Sequence, residues 1–469
     1  MTTEIWRLSA VDMALQIKNR EFSCLEATES CLARIDAVNP RINALAEVLH
    51  EQAIAAAKDA DIAVARGDTL GALHGVPVTT KINVDQIGCA TTQGVTAFKA
   101  VVAEVDSPPV ASLRKAGAII VGRSNAPAFS YRFFTDNDVH GRTLNPYDPL
   151  RTPGGSSGGA AAALAMGMGA IAHGNDLGGS IRHPAYACGV VGIRPSLGRV
   201  PAYNPTQTKD RTLAIQLSSM QGPLARTIAD LRVALTAMST PDNRDVWSTP
   251  VPLNFDTPAQ RPRVAVCASI PGLRTDPGVV AAVKQAAVWL EEAGYQVEEA
   301  VPPRINEARE LWIALACNEA RSGLLGTMEK YGDKAIKHVI KNFMALAPEL
   351  DLIQYMDALG LRTTLLREWT AFFDRYPLLL MPTSLEMPFI IDRDQSTVEE
   401  TDAIHKAQTP LLATAILGLP GLSVPTGLFG GVPTGVQLVA GRFQEALCLA
   451  AGEEVERRAQ WCPLVNANA

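Results

Sequence analysis

TPGGSSGGAAAALAMGMGAIAHGNDLGGSIRHPA, residues 152–185, is the stretch on which the reading of this chain turns. Four glycines surround Ser156 and Ser157, so the backbone there is free to approach a ligand closely. The loop runs into an alanine-rich helix expected over 158–164, and the free amides of a helix N-terminus point back at it. A strand is expected near 169–173, followed by Gly178-Gly179-Ser180, whose consecutive N–H groups suit a nest for a tetrahedral oxyanion. Asp176 and Arg182 are spaced to pair across that second loop and stiffen it. By composition alone the first loop reads as a flexible linker, and the second as a tight turn with a structural ion pair. The apolar helix on one side and the Thr152-Pro153 turn on the other instead place the first loop inside a core.

Strand and helix signals alternate outward from this stretch. The first 66 residues read as three helices: Ser9 caps one through Lys18, Ser23 caps a second, and an alanine-rich third runs over 42–66. Strands are expected at 74–80, 118–122 and 190–193, with helices over 108–116 and, from a start at Gly222-Pro223, over 224–238. Residues 263–299 read as a βαβ unit, 305–375 as mostly helical, and 378–381, 422–425 and 434–439 as late strands before a closing helix over 444–458. The densest loops are 203–219 and 241–261, the latter a candidate linker. This alternation is the pattern of an α/β fold, a sheet flanked by helices.

Composition narrows the function classes. With 469 residues, 47% hydrophobic and 19% charged, the chain is too apolar for a disordered protein. A net charge of −6 without a Lys/Arg-rich stripe argues against nucleic-acid binding. The longest apolar run, Ala160 to Ala172, is 13 residues with two glycines, against about 20 for a membrane span. The N-terminus MTTEIWRLSAVDMALQ has no apolar core of a signal peptide, so a cytoplasmic location is expected. Eight cysteines form no CxxC pair and read as free thiols. Seven scattered histidines give no metal-ligand spacing, so no metal is expected.

A third segment, Thr79-Thr80-Lys81-Ile82-Asn83, ends an apolar strand on a lysine. On position alone that is a surface residue; if buried, its ammonium must be partnered or neutralised. Nucleophilic catalysis needs a serine, a base within reach and oxyanion donors, and the three segments together supply all of them. Gly154-Gly155-Ser156-Ser157-Gly158 also matches the GxSxG elbow, which would make Ser156 the nucleophile. That reading needs a downstream histidine, and neither His338 nor His405 sits in a recognisable loop motif. His173 and His183 flank the Ser180 loop and offer a histidine base as an alternative to Lys81.

Lys81, GGSSGG and GNDLGGSIRHPA (174–185) jointly resemble the amidase signature family of serine hydrolases, with 75 residues from Lys81 to Ser156 and 24 from Ser156 to Ser180. Residues 117–127, 144–159, 188–201, 222–235, 380–383 and 418–441 resemble further family segments in order, so the resemblance spans roughly 8–460. It implies one large α/β domain, a central mixed twisted sheet with α-helices on both faces. Within 1–469 it implies N-terminal helices (1–66), a signature core (67–240), a variable, mostly helical substrate-side region (241–375) and closing strands and helix (376–469).

The resemblance also implies roles. Ser180 matches the nucleophile, Ser156 a bridging serine on a cis peptide, and Lys81 the base. Leu177, Gly178, Gly179 and Ser180 match the oxyanion-hole backbone, with Gly155, Ser157, Asp176 and Arg182 in the supporting loops. Lysine's free value near 10.4 must fall for such a base, and burial beneath a glycine loop is one route. The expected reaction is hydrolysis of C–N bonds in small-molecule amides, extending to carbamates, aryl amides or esters, through a Ser180 acyl-enzyme and with no cofactor. The alternative within the family is the glutamine amidotransferase subunit of a tRNA-dependent transamidation complex. Expected partners are a small-molecule substrate, with no nucleic acid and no membrane; homodimers are common among such relatives. Tyr131, Phe133, Phe134, His183 and Met220 are candidate pocket residues. The chain departs from the family pattern at Ile82 (commonly Asp), Ala128 (Glu), Asn175 (Thr) and His183 (apolar or Gln).

Overall fold

The helices near the N-terminus begin where their caps predict. Ser9 Oγ accepts from Asp12 N–H at 3.0 Å and starts the helix Ala10–Lys18. Ser23 and Glu26 form a reciprocal capping box at the head of Cys24–Ile42. Each such cap stabilises its helix by about 1 kcal/mol. These elements belong to a computed structural model that describes residues 4–255 and 261–465.

Eleven strands among the described residues form one sheet. They are β1 (Leu45–Val48), β2 (Pro77–Lys81), β3 (Ile119–Ser124), β4 (Ile171–Asp176), β5 (Val191–Arg194), β6 (Met220–Ala225), β7 (Arg263–Val266), β8 (Gln296–Glu299), β9 (Leu378–Pro382), β10 (Gly421–Phe429) and β11 (Val432–Ala440). Their order across the sheet is β1-β3-β2-β4-β6-β5-β10-β11-β9-β7-β8. The sheet is mixed: β3, β2 and β4 run parallel at one end and β9, β7 and β8 at the other, with antiparallel pairs between. Every residue of β2, β3, β4, β6, β9 and β11 is buried, as expected when helices cover both faces.

Alternation along a strand shows the two cores directly. Leu378 and Leu380 of β9 pack into one cluster with the N-terminal helices, while Leu379 and Met381 pack into another with Trp312, Phe343 and Trp369. Successive strand side chains point to opposite faces, so the two clusters lie on opposite sides of a single sheet in a single domain. No helix among the described residues is long and apolar enough to cross a membrane.

Three expectations need correction. The helix expected over 42–66 is interrupted: Asn43 ends the preceding helix at φ +53°, and Leu45–Val48 peels off as an edge strand on β3. The helix resumes only at His50–Arg66. Gly222-Pro223 does not start a helix but lies inside β6, because β5 pairs with β6 only at Leu224 and Ala225 and so tolerates the proline. The helix begins at Ile228, where Thr227 Oγ1 accepts from Asp230 N–H at 3.1 Å. The 203–219 loop contains a short helix, Leu213–Ser218. Part of the candidate linker, residues 256–260, lies outside the described residues.

Candidate active site

β2 lies between β3 and β4, and its last residue is the lysine of the third segment. Lys81 is fully buried. Its Nζ lies 2.7 Å from Ser156 Oγ, 2.8 Å from Asn175 Oδ1 and 3.0 Å from Ser157 Oγ. Burial pushes the amine well below the ordinary lysine range; Arg211 pushes the same way, and Asp176 opposes them. Asp176, the larger of the two charge effects, is itself paired with Arg182 and Arg194, and burial outweighs its pull toward the ammonium.

The hydrogen bonds fit a neutral amine. Such a group has two N–H donors and one lone pair. Asn175 Oδ1 accepts one N–H. Ser157 Oγ accepts the other, since its own proton is directed to Asn175 O at 3.4 Å. The lone pair is left for the Ser156 hydroxyl. Asn175 is fixed in this orientation by Asn83: Asn175 Nδ2 donates to Asn83 Oδ1 at 2.9 Å, and Asn83 Nδ2 donates to Ser130 Oγ at 2.8 Å. The asparagine that departs from the family pattern is thus a direct partner of the lysine.

The Gly155–Ser156 peptide bond is cis. Gly155 sits so close to the 132–134 backbone that a Cβ there would lie 2.4 Å from Arg132 O. Ser157 N–H donates to Ser180 O at 3.2 Å and ties the two loops together. Ser156 and Ser180 face one chamber. Of the four amides expected to hold an oxyanion, Gly179 N–H is spent on Asp176 Oδ1 at 2.7 Å. Those of Leu177, Gly178 and Ser180 have no acceptor among the described residues. At Gly179 the conformation itself requires glycine: its φ is +119°, and a Cβ would meet Leu411 at 2.6 Å.

Asp176 and Arg182 do pair across the loop, as their spacing suggests. Arg182 Nε and Nη2 reach the carboxylate at 2.9 Å each, and Ile181 N–H adds a bond at 3.1 Å. Burial alone would raise this carboxyl, but Arg182 and Arg194 hold it well below the usual carboxylate range. Stability from a depressed carboxyl is present above its unfolded value, about 3.9, and lost as pH falls through the folded one. Replacing Asp176 by alanine strands two buried guanidinium groups, and is expected to destabilise the fold by about 3–5 kcal/mol. A thermal midpoint equal to that of the wild type would contradict this role.

Neither histidine alternative is placed for catalysis. His173 Nδ1 accepts from the Lys81 backbone N–H at 3.4 Å and Nε2 faces Gln221 Oε1 at 2.9 Å, with burial pushing the ring down to about 4. His183 is buried behind Phe133 with both ring nitrogens unpartnered, and burial pushes it down to about 3. His338 contacts Ser396 O, and His405 contacts Thr401 O.

Two cavities meet at Ser180. A narrow one, about 60 Å³, is walled by Tyr131, Phe133, Trp312, Phe343 and His405. A larger one, about 650 Å³, is lined by Ser156, Asn83, Asn175, Arg211 and Glu319 among others. Of the candidate pocket residues, Tyr131 and Phe133 line the narrow cavity, while Phe134, His183 and Met220 line neither. Phe134 stacks on Phe389 at 6.1 Å; His183 lies behind the wall; Met220 is turned to a separate cavity near Trp247. The sequence does not mark Trp312, Phe343 or His405 as pocket residues, because each comes from a different helix far from the signature. Trp312 also donates Nε1–H to Leu177 O at 3.0 Å, bracing the loop that leads into Ser180. The charged groups on the narrow wall, Arg132 and Asp394, neutralise each other at 2.7 and 3.0 Å. Among the described residues, no cluster of three His, Cys, Asp or Glu side chains is placed to hold a metal ion.

A family profile described as Amidase matches residues 26–449. The indoleacetamide hydrolase of Bradyrhizobium diazoefficiens is 43% identical over 457 residues, 97% of this chain and 87% of that one. A glutamyl-tRNA(Gln) amidotransferase subunit from Moorella thermoacetica is 32% identical, with 98% of each chain covered. Among solved structures, a bacterial aryl acylamidase of the amidase signature enzymes is 28% identical and superposes with a TM-score of 0.84 over 97% of both chains.

Proposed function

This chain belongs to the amidase signature family and is an amide hydrolase, and from that premise we propose that it cleaves carboxamides of aryl-substituted acetic acids, of which indole-3-acetamide is the type. The observation that carries this reading is the aromatic cavity opening directly on Ser180 beside three unpaired amides. A benzene ring occupies an engineered cavity of about 150 Å³. An aryl group entering the narrower cavity here therefore turns Tyr131 and Phe343, which meet edge to face at 5.9 Å.

The residues have these roles in the proposed reaction. Lys81 takes the Ser156 proton while Ser156 takes that of Ser180, whose Oγ attacks the carbonyl carbon. The amides of Leu177, Gly178 and Ser180 hold the oxyanion in a buried site, where each donor is worth about 3 kcal/mol. The same relay returns a proton to the leaving nitrogen, ammonia departs, and water cleaves the acyl-enzyme to release the arylacetate. Asn175, Asn83 and Ser157 keep the Lys81 lone pair aimed at Ser156.

The transamidation reading fits less well. Glutamine needs ionic partners for its amino and carboxylate groups, and the charges on the narrow wall, Arg132 and Asp394, are spent on each other. A matched panel tests the proposal: indole-3-acetamide, acetamide, an aryl carbamate and the corresponding ester, each beside Ser180→Ala. The expected result is preference for the aryl amide over acetamide by at least about 10²-fold in kcat/KM, as fits burial of one aromatic side group. Carbamate cleavage that is lost in the variant extends the substrate range to urethanes. Equal rates on acetamide and the aryl amide would contradict the proposal.

A further inference from the structure

The two cavities at Ser180 differ in chemistry, and the relay assigns them to opposite sides of the scissile bond. Ser156, which delivers the proton to the leaving nitrogen, lines only the larger chamber. The amine therefore departs into a space of about 650 Å³. Ammonia needs roughly the volume of one water, about 30 Å³. Arg211 stands half-buried on the wall that this chamber shares with the cavity near Trp247, and among the described residues its guanidinium has a single polar contact, Nη1 to Ser219 Oγ at 2.9 Å. Burial alone lowers its basicity, and no acid offsets that. Glu319, which shares the chamber, is occupied by Thr212 Oγ1–H, Tyr355 O–H and the amides of Ala214 and Ile215. The other charged groups on the rim, Lys209 and Asp210, are exposed. A guanidinium set into a chamber wall without a counter-ion is a planar fork of donors suited to one carboxylate.

We propose that the larger chamber binds leaving amines that carry a carboxylate, read by Arg211, so that N-arylacetyl amino acids are substrates alongside the primary amides. This rests on the arylacetamide reading above. In the reaction, one N-arylacetyl amino acid and one water give one arylacetate and one free amino acid, the latter as its zwitterion. The amide C–N bond breaks, the acyl carbon gains the water oxygen, and the nitrogen gains its protons through Ser156.

Three substrates of one acyl group test it: phenylacetamide, phenylacetylglycine and the uncharged N-propylphenylacetamide, followed by release of phenylacetate. The wild type is expected to favour the glycine conjugate over its uncharged counterpart by about 10–100-fold in kcat/KM, the size of one charge-assisted contact. Arg211→Gln is expected to erase that preference through KM, bringing the two conjugates to within about threefold of each other whatever the variant does to the rate on phenylacetamide. Arg211→Lys is expected to restore part of it. An inert glycine conjugate beside good phenylacetamide turnover would overturn the inference and leave the amidase reading standing. Inert phenylacetamide would overturn that reading and this inference with it. Equal losses on all three substrates in Arg211→Gln would assign Arg211 to tuning Lys81 and overturn the leaving-group role. Should that variant fail to fold, the wild-type preference between the charged and uncharged conjugates decides alone.

Discussion

Alanine at Ser180 is expected to reduce arylacetamide turnover by about 10⁴–10⁶-fold, the range in which loss of a nucleophile from a concerted serine site falls. The fold is expected to survive. Ser180 Oγ makes no side-chain hydrogen bond among the described residues, and the loop is held by its backbone and by Asp176. Circular dichroism and the thermal midpoint therefore remain close to those of the wild type. A variant that keeps a substantial rate would move the nucleophile elsewhere, and Ser156, in its GxSxG setting, would be the first alternative.

Replacing Asn175 by aspartate is expected to be nearly as damaging, by a different route. It places a carboxylate where an amide oxygen now lies 2.8 Å from Lys81 Nζ. A unit charge at about 4 Å is worth roughly 4 kcal/mol at the effective dielectric of a protein site. The negative charge favours the ammonium, so it raises the folded-state value of Lys81 and shrinks the neutral fraction at pH 7. In the wild type, kcat/KM is expected to fall as pH drops through the Lys81 value. In Asn175→Asp that acid limb moves to higher pH, with a loss of about 10²–10³-fold at neutral pH that recovers on alkalinisation. Asn175→Ala lowers the rate without moving the limb comparably. An acid limb in Asn175→Asp that coincides with the wild type would mean that Lys81 is not the group titrating.

How much of the molecule is legible in its sequence follows from how local each signal is. Ser9 and Ser23 announce their helices because a cap and its partner lie three residues apart. The loops around Ser156 and Ser180 are readable because glycines mark close backbone approach and unpaired amides within a few positions. Asn175 stands out as a departure, but its bond to Lys81 spans 94 residues and its brace on Asn83 another 92, and no local pattern encodes either. Trp312, Phe343 and His405 are ordinary apolar-face residues of their helices, and only packing against the second face of the sheet makes them a pocket wall. Pro223 misleads because a proline ordinarily breaks a central strand, whereas here the neighbouring ladder stops one residue short of it.

The central claim is that Ser180, activated through Ser156 and a neutral Lys81, becomes acylated. Trapping that intermediate tests it most directly: an activated aryl ester is mixed with the enzyme, quenched in acid and followed by intact mass and peptide mapping. The account predicts one arylacetyl adduct, located on Ser180, absent from Ser180→Ala and slow to form in Lys81→Ala. An adduct on Ser156, or full-rate acylation without Lys81, would contradict it.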